Sequence, residues 1–181
     1  MAHWNTRGLR GSAFEEMVNL TNQLYRQQGL ALIQKVPTPI TPIEVNNREH
    51  TITKAYFGEK STVDYIGVIQ GIATCFDAKE TQYKNFPLKN IHHHQMVFIE
   101  DFINQNGVTF LLINFKFTQE IFFLPWEQLK SCYNLAQQGG RKSIPYADFD
   151  KSFIVKNESG FPVHYLEALN KWLIDKHTKE V

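Results

Sequence analysis

The spacing of apolar side chains predicts amphipathic helices at both ends of the chain and between its strands. Over residues 12–28 the apolar positions recur with a helical period and leave one face for burial. Ser12 followed by Glu15 fits a capping box at the start of this helix, and Gly29 ends it. The same periodicity predicts further helices over 91–106, 126–137 and 165–175.

Short aliphatic and aromatic runs predict β-strands between the helices. They lie at 30–36, 108–115 and 121–124, and two joined strands span 62–81. The resulting order, in which helices interrupt groups of strands, is typical of an α/β fold with a mixed β-sheet flanked by helices. A length of 181 residues is enough for one such domain, which we expect to cover 1–181.

Residues 37–57 form an excursion between two core strands. It begins with the segment 37–42, which contains three prolines and which we expect to be extended, polyproline-like chain rather than helix or central strand. The rest, 43–57, is polar with scattered β-branched residues. An excursion of about twenty residues in a compact domain is either a functional arm or an ordinary long loop. The sequence pattern alone leaves both interpretations open.

The segment 62–81 predicts a β-hairpin whose loop is Gln70-Gly71, with Gly at the turn position that favours a positive φ. In that register the numbers of cross-strand partners sum to 141. Asp64 then faces Asp77, and Thr62 faces Lys79. Because side chains alternate between faces, all four lie on one side of the hairpin.

Two directly opposed carboxylates are an unfavourable cross-strand pair. At 4–5 Å and an effective dielectric near 20, their repulsion is about 4 kcal/mol. A divalent cation with Lys79 alongside would offset it, which makes the hairpin a candidate metal-dependent active site. The alternative is that Asp77 and Lys79 belong to a solvated ladder on an exposed sheet face.

Composition narrows the setting of this chemistry. Hydrophobic residues make up 43% and charged residues 20%, which indicates a globular chain, and no apolar run approaches the roughly 20 residues of a membrane span. Two cysteines and the lack of a secretory leader predict a cytoplasmic protein. The net charge of +1 means that any DNA contact must come from local basic patches.

Asp64 and Asp77 suit Mg²⁺, a hard cation that binds through one or two carboxylates and keeps several waters. Lys79 would then lie beside a scissile phosphate or an attacking water. Glu15 is either a further carboxylate of this site or only the capping box already described. Gln95 is polar within the apolar stripe of its helix, so it is either a hydrogen-bonded core residue or reaches toward the two carboxylates.

The His92-His93-His94 tract does not predict a metal site, because adjacent helical residues rotate by about 100° and cannot converge on one ion. A solvated or phosphate-facing helix start is the favoured interpretation.

An acidic residue, a strand-turn-strand and then Asp/Glu-x-Lys is the core motif of the PD-(D/E)xK nuclease superfamily. A more specific set of motifs follows the same order as in one branch of that superfamily. These motifs are Arg7-Gly8-Leu9, Phe14-Glu15, Pro37-Thr38-Pro39, Ala55-Tyr56-Phe57, Ser61-Thr62-Val63-Asp64-Tyr65, Phe76-Asp77-Ala78-Lys79-Glu80-Thr81, Phe86-Pro87-Leu88, His94-Gln95 and Gly140-Arg141-Lys142-Ser143-Ile144. With them, the chain resembles the RecU family of bacterial Holliday junction resolvases over nearly its whole length.

The resemblance implies a restriction-endonuclease-like fold and a site on particular residues. Its magnesium ligands fall on Thr62, Asp64, Asp77 and Gln95, and its transition-state-stabilising lysine falls on Lys79. The second carboxylate is often Glu in the family and is Asp77 in this chain.

The resemblance also implies a homodimer that makes two symmetric nicks in a four-way DNA junction during recombination and repair, together with recombination proteins as partners. The excursion at 37–57 would be a stalk that enters the junction. Its basic residues are few, so we expect the phosphate contacts elsewhere. The expected contacts are Arg7, Arg10, Lys84, Lys89, Arg141 and Lys142.

Two other functions remain open at this point. One is a related nuclease acting on other DNA substrates, and the other is a non-catalytic DNA-binding or partner-binding module that keeps the fold.

Overall fold

The computed structural model describes residues 12–58 and 62–180. Its helices are α1 (Ala13–Gln27), α2 (His93–Asn104), α3 (Trp126–Gln137) and α4 (Tyr165–Glu180). Its strands are β1 (Ala31–Lys35), β2 (Ile40–Asn46), β3 (Thr51–Phe57), β4 (Tyr65–Ile69), β5 (Ile72–Thr81), β6 (Asn85–Pro87), β7 (Val108–Phe115), β8 (Glu120–Pro125), β9 (Ser143–Pro145) and β10 (Ile154–Val155). Arg7 and Arg10, two of the predicted phosphate contacts, lie outside the described residues.

A central sheet holds six strands in the order β1-β4-β5-β7-β8-β10. Only β5 and β7 run parallel in it, and the other neighbours are antiparallel. The helix α2 is the crossover that a parallel pair requires. This mixed sheet with helices on its faces confirms the fold class expected from the sequence. The sequence pattern missed β10, which has only two residues.

Each face of the sheet has its own hydrophobic core. The core on one face includes Phe14, Val18, Tyr25, Phe76, Phe110, Phe123, Tyr165 and Leu169, so α1 and α4 cover that face. The core on the other face includes Cys75, Ile99, Leu111, Phe122, Leu124, Trp126 and Leu129, so α2 and α3 cover it. Along β5, Phe76 and Ala78 join the first core. Because side chains alternate, Asp77 between them points to the face of α2.

The β4–β5 hairpin has the predicted register. Ladder partners run from Tyr65–Phe76 to Ile69–Ile72, and their numbers sum to 141 as expected. Gln70 and Gly71 make the turn with φ of 47° and 88°, both positive as in a type I′ turn.

The ladder is shorter than the sequence predicts, because it ends at the Tyr65–Phe76 pair and does not reach a Thr62–Lys79 pair. The backbone N–H of Asp64 donates to a side-chain oxygen of Asp77 rather than to a backbone carbonyl, which turns the chain away from β5 at this point. Thr62 is therefore at a bend outside the strand.

Residues 40–57 of the excursion form a β-ribbon, which corrects the expectation of polyproline-like chain over 40–42. β2 and β3 pair antiparallel with register shifts around Pro42 and Glu44, and a two-stranded ribbon has only edges, where a proline is tolerated. Every β2 and β3 side chain except Asn46 is exposed, so the ribbon protrudes from the domain as an arm.

The base of the arm is joined directly to the predicted site. The N–H of Gly58 donates to the carbonyl of Pro39 at 2.9 Å, which closes the ribbon. The N–H of Val36 donates to the carbonyl of Asp64 at 2.8 Å, which extends the β1–β4 pairing past both strands. The chain thus leaves the domain for the arm beside the backbone of Asp64.

A second small sheet lies beyond the carboxyl end of β5. The segment around Phe86-Pro87 is strand β6, which the sequence pattern did not predict, and it pairs antiparallel with β9. Both strands have three residues and contain proline, so neither shows a strand period in the sequence. Their pairing brings the Arg141-Lys142 segment beside residues 84–89.

We expect the arm to be dispensable for folding. Deleting residues 40–57 and joining Pro39 to Gly58 through two glycines removes side chains that are almost all exposed, so the melting temperature should change by less than about 3 °C. Circular dichroism during heating measures this. Loss of the cooperative transition would show that the arm supports the sheet.

Candidate active site

Asp64 and Asp77 come together at the open end of the β4–β5 hairpin, on the face of the sheet that α2 covers. The Asp64 N–H donates to Asp77 Oδ1 at 2.7 Å, and the Ala78 N–H donates to Asp64 Oδ2 at 3.2 Å. Each carboxylate is thus held by the backbone of the strand that carries the other. These reciprocal bonds fix the pair as firmly as ladder bonds would.

Lys79 bridges the two carboxylates. Its Nζ lies 3.1 Å from Asp64 Oδ2 and 3.0 Å from Asp77 Oδ2. The Asp77 side chain is 1% exposed, whereas those of Asp64 and Lys79 are 28% and 20% exposed. The site therefore has a buried carboxylate at its base, and a carboxylate and an ammonium that reach solvent.

Burial dominates the electrostatics of this group. It raises the pKa of Asp77 above its usual range, and the charge of Asp64 raises it further, while Lys79 opposes the shift. Burial would lower the pKa of Lys79, but the charges of Asp77 and Asp64 outweigh burial and raise it. With all three groups ionised, the cluster carries one uncompensated negative charge, so a further cation is favoured beside it.

Gln95 reaches the cluster from the first turn of α2. Its Nε2 donates to Asp77 Oδ2 at 2.6 Å, and its Oε1 accepts the backbone N–H of His92 at 3.0 Å. Gln95 is buried, so both sequence interpretations hold, since it is a hydrogen-bonded core residue that also contacts a carboxylate.

The orientation of the Gln95 amide was not foreseen from the sequence. The signal for it is the spacing His92-x-x-Gln95, in which the third helical residue bonds back to the N-cap of α2. That bond directs the amide oxygen to the helix end and the amide nitrogen to Asp77.

Glu15 contacts Ser12, Lys35 and Tyr65. Its N–H donates to Ser12 Oγ at 3.2 Å, so Ser12 caps α1 as predicted. Its carboxylate pairs with Lys35 Nζ at 2.5 Å, on the face that α1 covers. Among the described residues, neither Glu15 nor Thr62 makes a hydrogen bond to the carboxylates of the cluster.

The expected DNA contacts gather around β6 and β9. Lys84 and Arg141 line one concavity, in which Arg141 is 3.6 Å from Asp148. Lys89 and Lys142 line a second concavity beside α3, where the Leu88 N–H donates to the Lys142 carbonyl at 3.1 Å. The small sheet therefore brings together four basic residues that are up to 58 positions apart, the separation of Lys84 and Lys142.

The histidine tract occupies the start of α2. His92 is the N-cap, and its ring stacks on that of His94 with centroids 5.5 Å apart. His92 and His93 are exposed, as expected for a solvated helix start.

The donor set of the site is oxygen-rich and contains two carboxylates. Within the described ranges, no three His, Cys, Asp or Glu side chains are grouped to hold a metal ion. Two carboxylates fit Mg²⁺, which takes few protein ligands and completes its shell with water and phosphate. The same set does not fit a structural zinc ion, which requires Cys or His.

Among the described helices, none is long and apolar enough to cross a membrane.

Comparison with known proteins agrees with the resemblance that the sequence motifs indicate. A family model described as "RecU: Recombination protein U" matches residues 9–171. A Holliday junction resolvase RecU of Oenococcus oeni is 40% identical over 169 residues, which cover 91% of this chain and 86% of that protein.

Two further relatives carry the same name. The protein from Lactococcus lactis subsp. lactis is 41% identical over 91% of this chain and 78% of its own length. The protein from Oceanobacillus iheyensis is 40% identical over 89% of this chain and 82% of its own length. With a family match over nearly its full length and relatives of this similarity, the chain belongs to the RecU family.

Proposed function

We propose that this protein is a magnesium-dependent endonuclease that resolves four-way (Holliday) DNA junctions by paired symmetric nicks in recombination and repair. The observation that carries the proposal is the Asp64–Lys79–Asp77 cluster, in which one ammonium bridges two carboxylates at the end of a hairpin. The relatives named Holliday junction resolvase supply the substrate class.

Asp64 and Asp77 are the proposed ligands of the magnesium ion, with Thr62 and Gln95 as the further oxygen donors implied by the resemblance. When bound, the ion would lower the pKa of a water molecule and neutralise charge that develops on the phosphate. The burial of Asp77 supports this role. Burial disfavours the ionised carboxylate, and a neighbouring cation would stabilise it. Asp64 is the partner that solvent and DNA can reach.

Lys79 is the proposed transition-state stabiliser. Its raised pKa keeps the ammonium protonated at neutral pH, and its position between the carboxylates fixes where that charge is presented. A fixed positive charge beside a phosphate that gains negative charge lowers the barrier more than it strengthens ground-state binding.

Gln95 holds Asp77 in place through its Nε2 donor. For its Oε1 to reach a cation at Asp77, the amide has to turn over and give up the bond from His92. We propose Glu15 only as an outer carboxylate of the site, since its charge is paired with Lys35.

The proposed assembly is a homodimer, because two symmetric nicks on opposed strands require two equivalent sites. The arm would be the stalk that enters the junction. Its exposed apolar side chains include Ile43, Val45, Ile52, Tyr56 and Phe57. A two-stranded ribbon is marginal in water by itself, so a surface of DNA or of a second copy would stabilise it.

We assign residues 1–181 to one nuclease domain, and we propose a cytoplasmic location with recombination proteins as further partners. The two cysteines support a reducing compartment, since Cys75 and Cys132 are both free. The phosphate contacts are assigned to Lys84, Lys89, Arg141 and Lys142, with Arg7 and Arg10 outside the described residues.

Changing Asp77→Asn should abolish magnesium-dependent nicking of a synthetic four-way junction, because one of two ligand charges is lost. It should also remove the rise in melting temperature that Mg²⁺ causes. In the wild type, Mg²⁺ at 100 times its Kd should raise the free energy of unfolding by about 2.7 kcal/mol. Gel analysis of nicked strands and thermal melting measure the two effects. A wild-type protein that cuts linear duplex as fast as junction would contradict junction resolution.

Changing Lys79→Ala should lower the nicking rate by at least 10²-fold, while the Kd for the junction changes by less than about threefold. The matched control is Lys116→Ala, which removes a lysine that pairs with Glu80 at the surface, 3.0 Å away, and should cut at the wild-type rate. A loss of binding as large as the loss of rate would contradict a transition-state role.

Changing Gln95→Leu should weaken magnesium affinity by about 10–100-fold, because a buried partner of Asp77 is lost. Calorimetric titration with Mg²⁺ measures this. Gln95→Glu separates two roles of residue 95, binding the ion through an oxygen and holding Asp77 through the Nε2 donor. The variant should keep its magnesium affinity in the first case and lose it in the second. Unchanged affinity in Gln95→Leu would place residue 95 outside the metal site.

A further inference from the structure

Tyr83 is an exposed aromatic residue in the turn between β5 and β6. Its side chain is 59% exposed, and it lines an open concavity of about 650 Å³ together with Lys84, Arg141 and Ser143. Among the described residues no other aromatic ring stacks on it. Tyr83 therefore offers a flat aromatic face to solvent within a concavity that two basic side chains also line.

The turn presents Tyr83 rigidly. Thr81 Oγ1 accepts the N–H of Tyr83 at 3.2 Å and donates to the carbonyl of Asn85 at 3.0 Å. Thr81 is itself 5% exposed, and its carbonyl accepts the N–H of Lys116 at 2.9 Å. The backbone on both sides of the ring is therefore fixed by a buried side chain, which lowers the entropy cost of placing a ligand on it.

Two cations line the same concavity as the ring. Lys84 follows it directly, and its carbonyl accepts the N–H of Tyr146 at 3.1 Å, which holds it against β9. Arg141 approaches from the segment before β9, 3.6 Å from Asp148. A flat aromatic face in a concavity that carries two cations matches one nucleotide of a DNA strand, with a base on the ring and phosphates on the cations.

The backbone of Tyr83 is also close to that of Lys79. Tyr83 lies four positions after Lys79, so their Cα atoms are at most about 14 Å apart. That is about four base-pair rises at 3.4 Å each. A base on Tyr83 would therefore belong to the DNA within a few base pairs of the nicked phosphate. With a net charge of +1, the chain gains little from bulk attraction to DNA, which leaves room for stacking to matter.

We propose that Tyr83 is a stacking platform for an unstacked DNA base close to the nicked phosphate, with Lys84 and Arg141 on the adjoining phosphates. The inference rests on the proposed nuclease function and adds a residue that selects branched over fully stacked DNA. A duplex has all its bases stacked except at its ends, whereas the strands at a branch point can expose one.

The first test measures the Kd for an uncut four-way junction in EDTA. Tyr83→Leu keeps apolar bulk but removes the aromatic face, so it should weaken junction binding by about tenfold. Tyr83→Phe keeps the face and loses only the hydroxyl, and should bind within twofold of the wild type. Neither change should alter the Kd for a linear duplex of the same length by more than twofold.

Equal loss in Tyr83→Leu and Tyr83→Phe would assign the contact to the hydroxyl and overturn stacking. Equal binding by all three proteins would also overturn it. Because Tyr83 is exposed, both variants should melt within about 3 °C of the wild type, which is checked alongside.

The second test locates the base. A 5-iododeoxyuridine, placed at one position at a time within four pairs of the branch point, is photo-crosslinked and the attached peptide is identified by mass spectrometry. Crosslinking at Tyr83 from one or two positions is expected, and none from any position would overturn the proposal. If the wild type neither binds nor nicks the junction with Mg²⁺, the nuclease function fails. If it does both, a negative result counts against the platform alone.

Discussion

The mutual repulsion of Asp64 and Asp77 is the constraint on which the rest of the site depends. The fold holds these carboxylates together through reciprocal backbone bonds and sets Lys79 between them. Burial makes the arrangement costly, since the ionised form of Asp77 is disfavoured in the folded state. Because a raised pKa for an acid lowers stability as pH rises past its unfolded value, this group costs folding free energy at neutral pH. A cation beside the pair would stabilise the ionised form of Asp77 and so offset part of this loss of folding free energy.

Several neighbouring elements position the groups that contact this pair. The parallel β5–β7 contact and the α2 crossover bring Gln95 onto Asp77, and the alternation along β5 directs Asp77 to the same face. The arm begins beside Asp64, because the Val36 N–H donates to the Asp64 carbonyl. A force on the start of the arm therefore acts close to a proposed metal ligand.

The sequence predicted what local periodicity determines. The helices, the β4–β5 register and the Gln70-Gly71 turn followed from spacing and turn chemistry, as did the sharing of one face by Asp64 and Asp77. It did not predict the β6–β9 pair, because three-residue strands with proline have no period and their pairing is long-range. The ribbon form of the arm was hidden by its prolines. The Gln95 amide orientation depends on a helix-cap bond, which residue type alone does not reveal.

The most direct measurement is a crystal of the protein grown with Mn²⁺, an ion that accepts the same oxygen ligands as Mg²⁺ and scatters anomalously. The account predicts one anomalous peak per chain, with carboxylate oxygens of both Asp64 and Asp77 about 2.0–2.2 Å from the ion. No peak at saturating Mn²⁺, or a peak bound by residues other than these two, would contradict it.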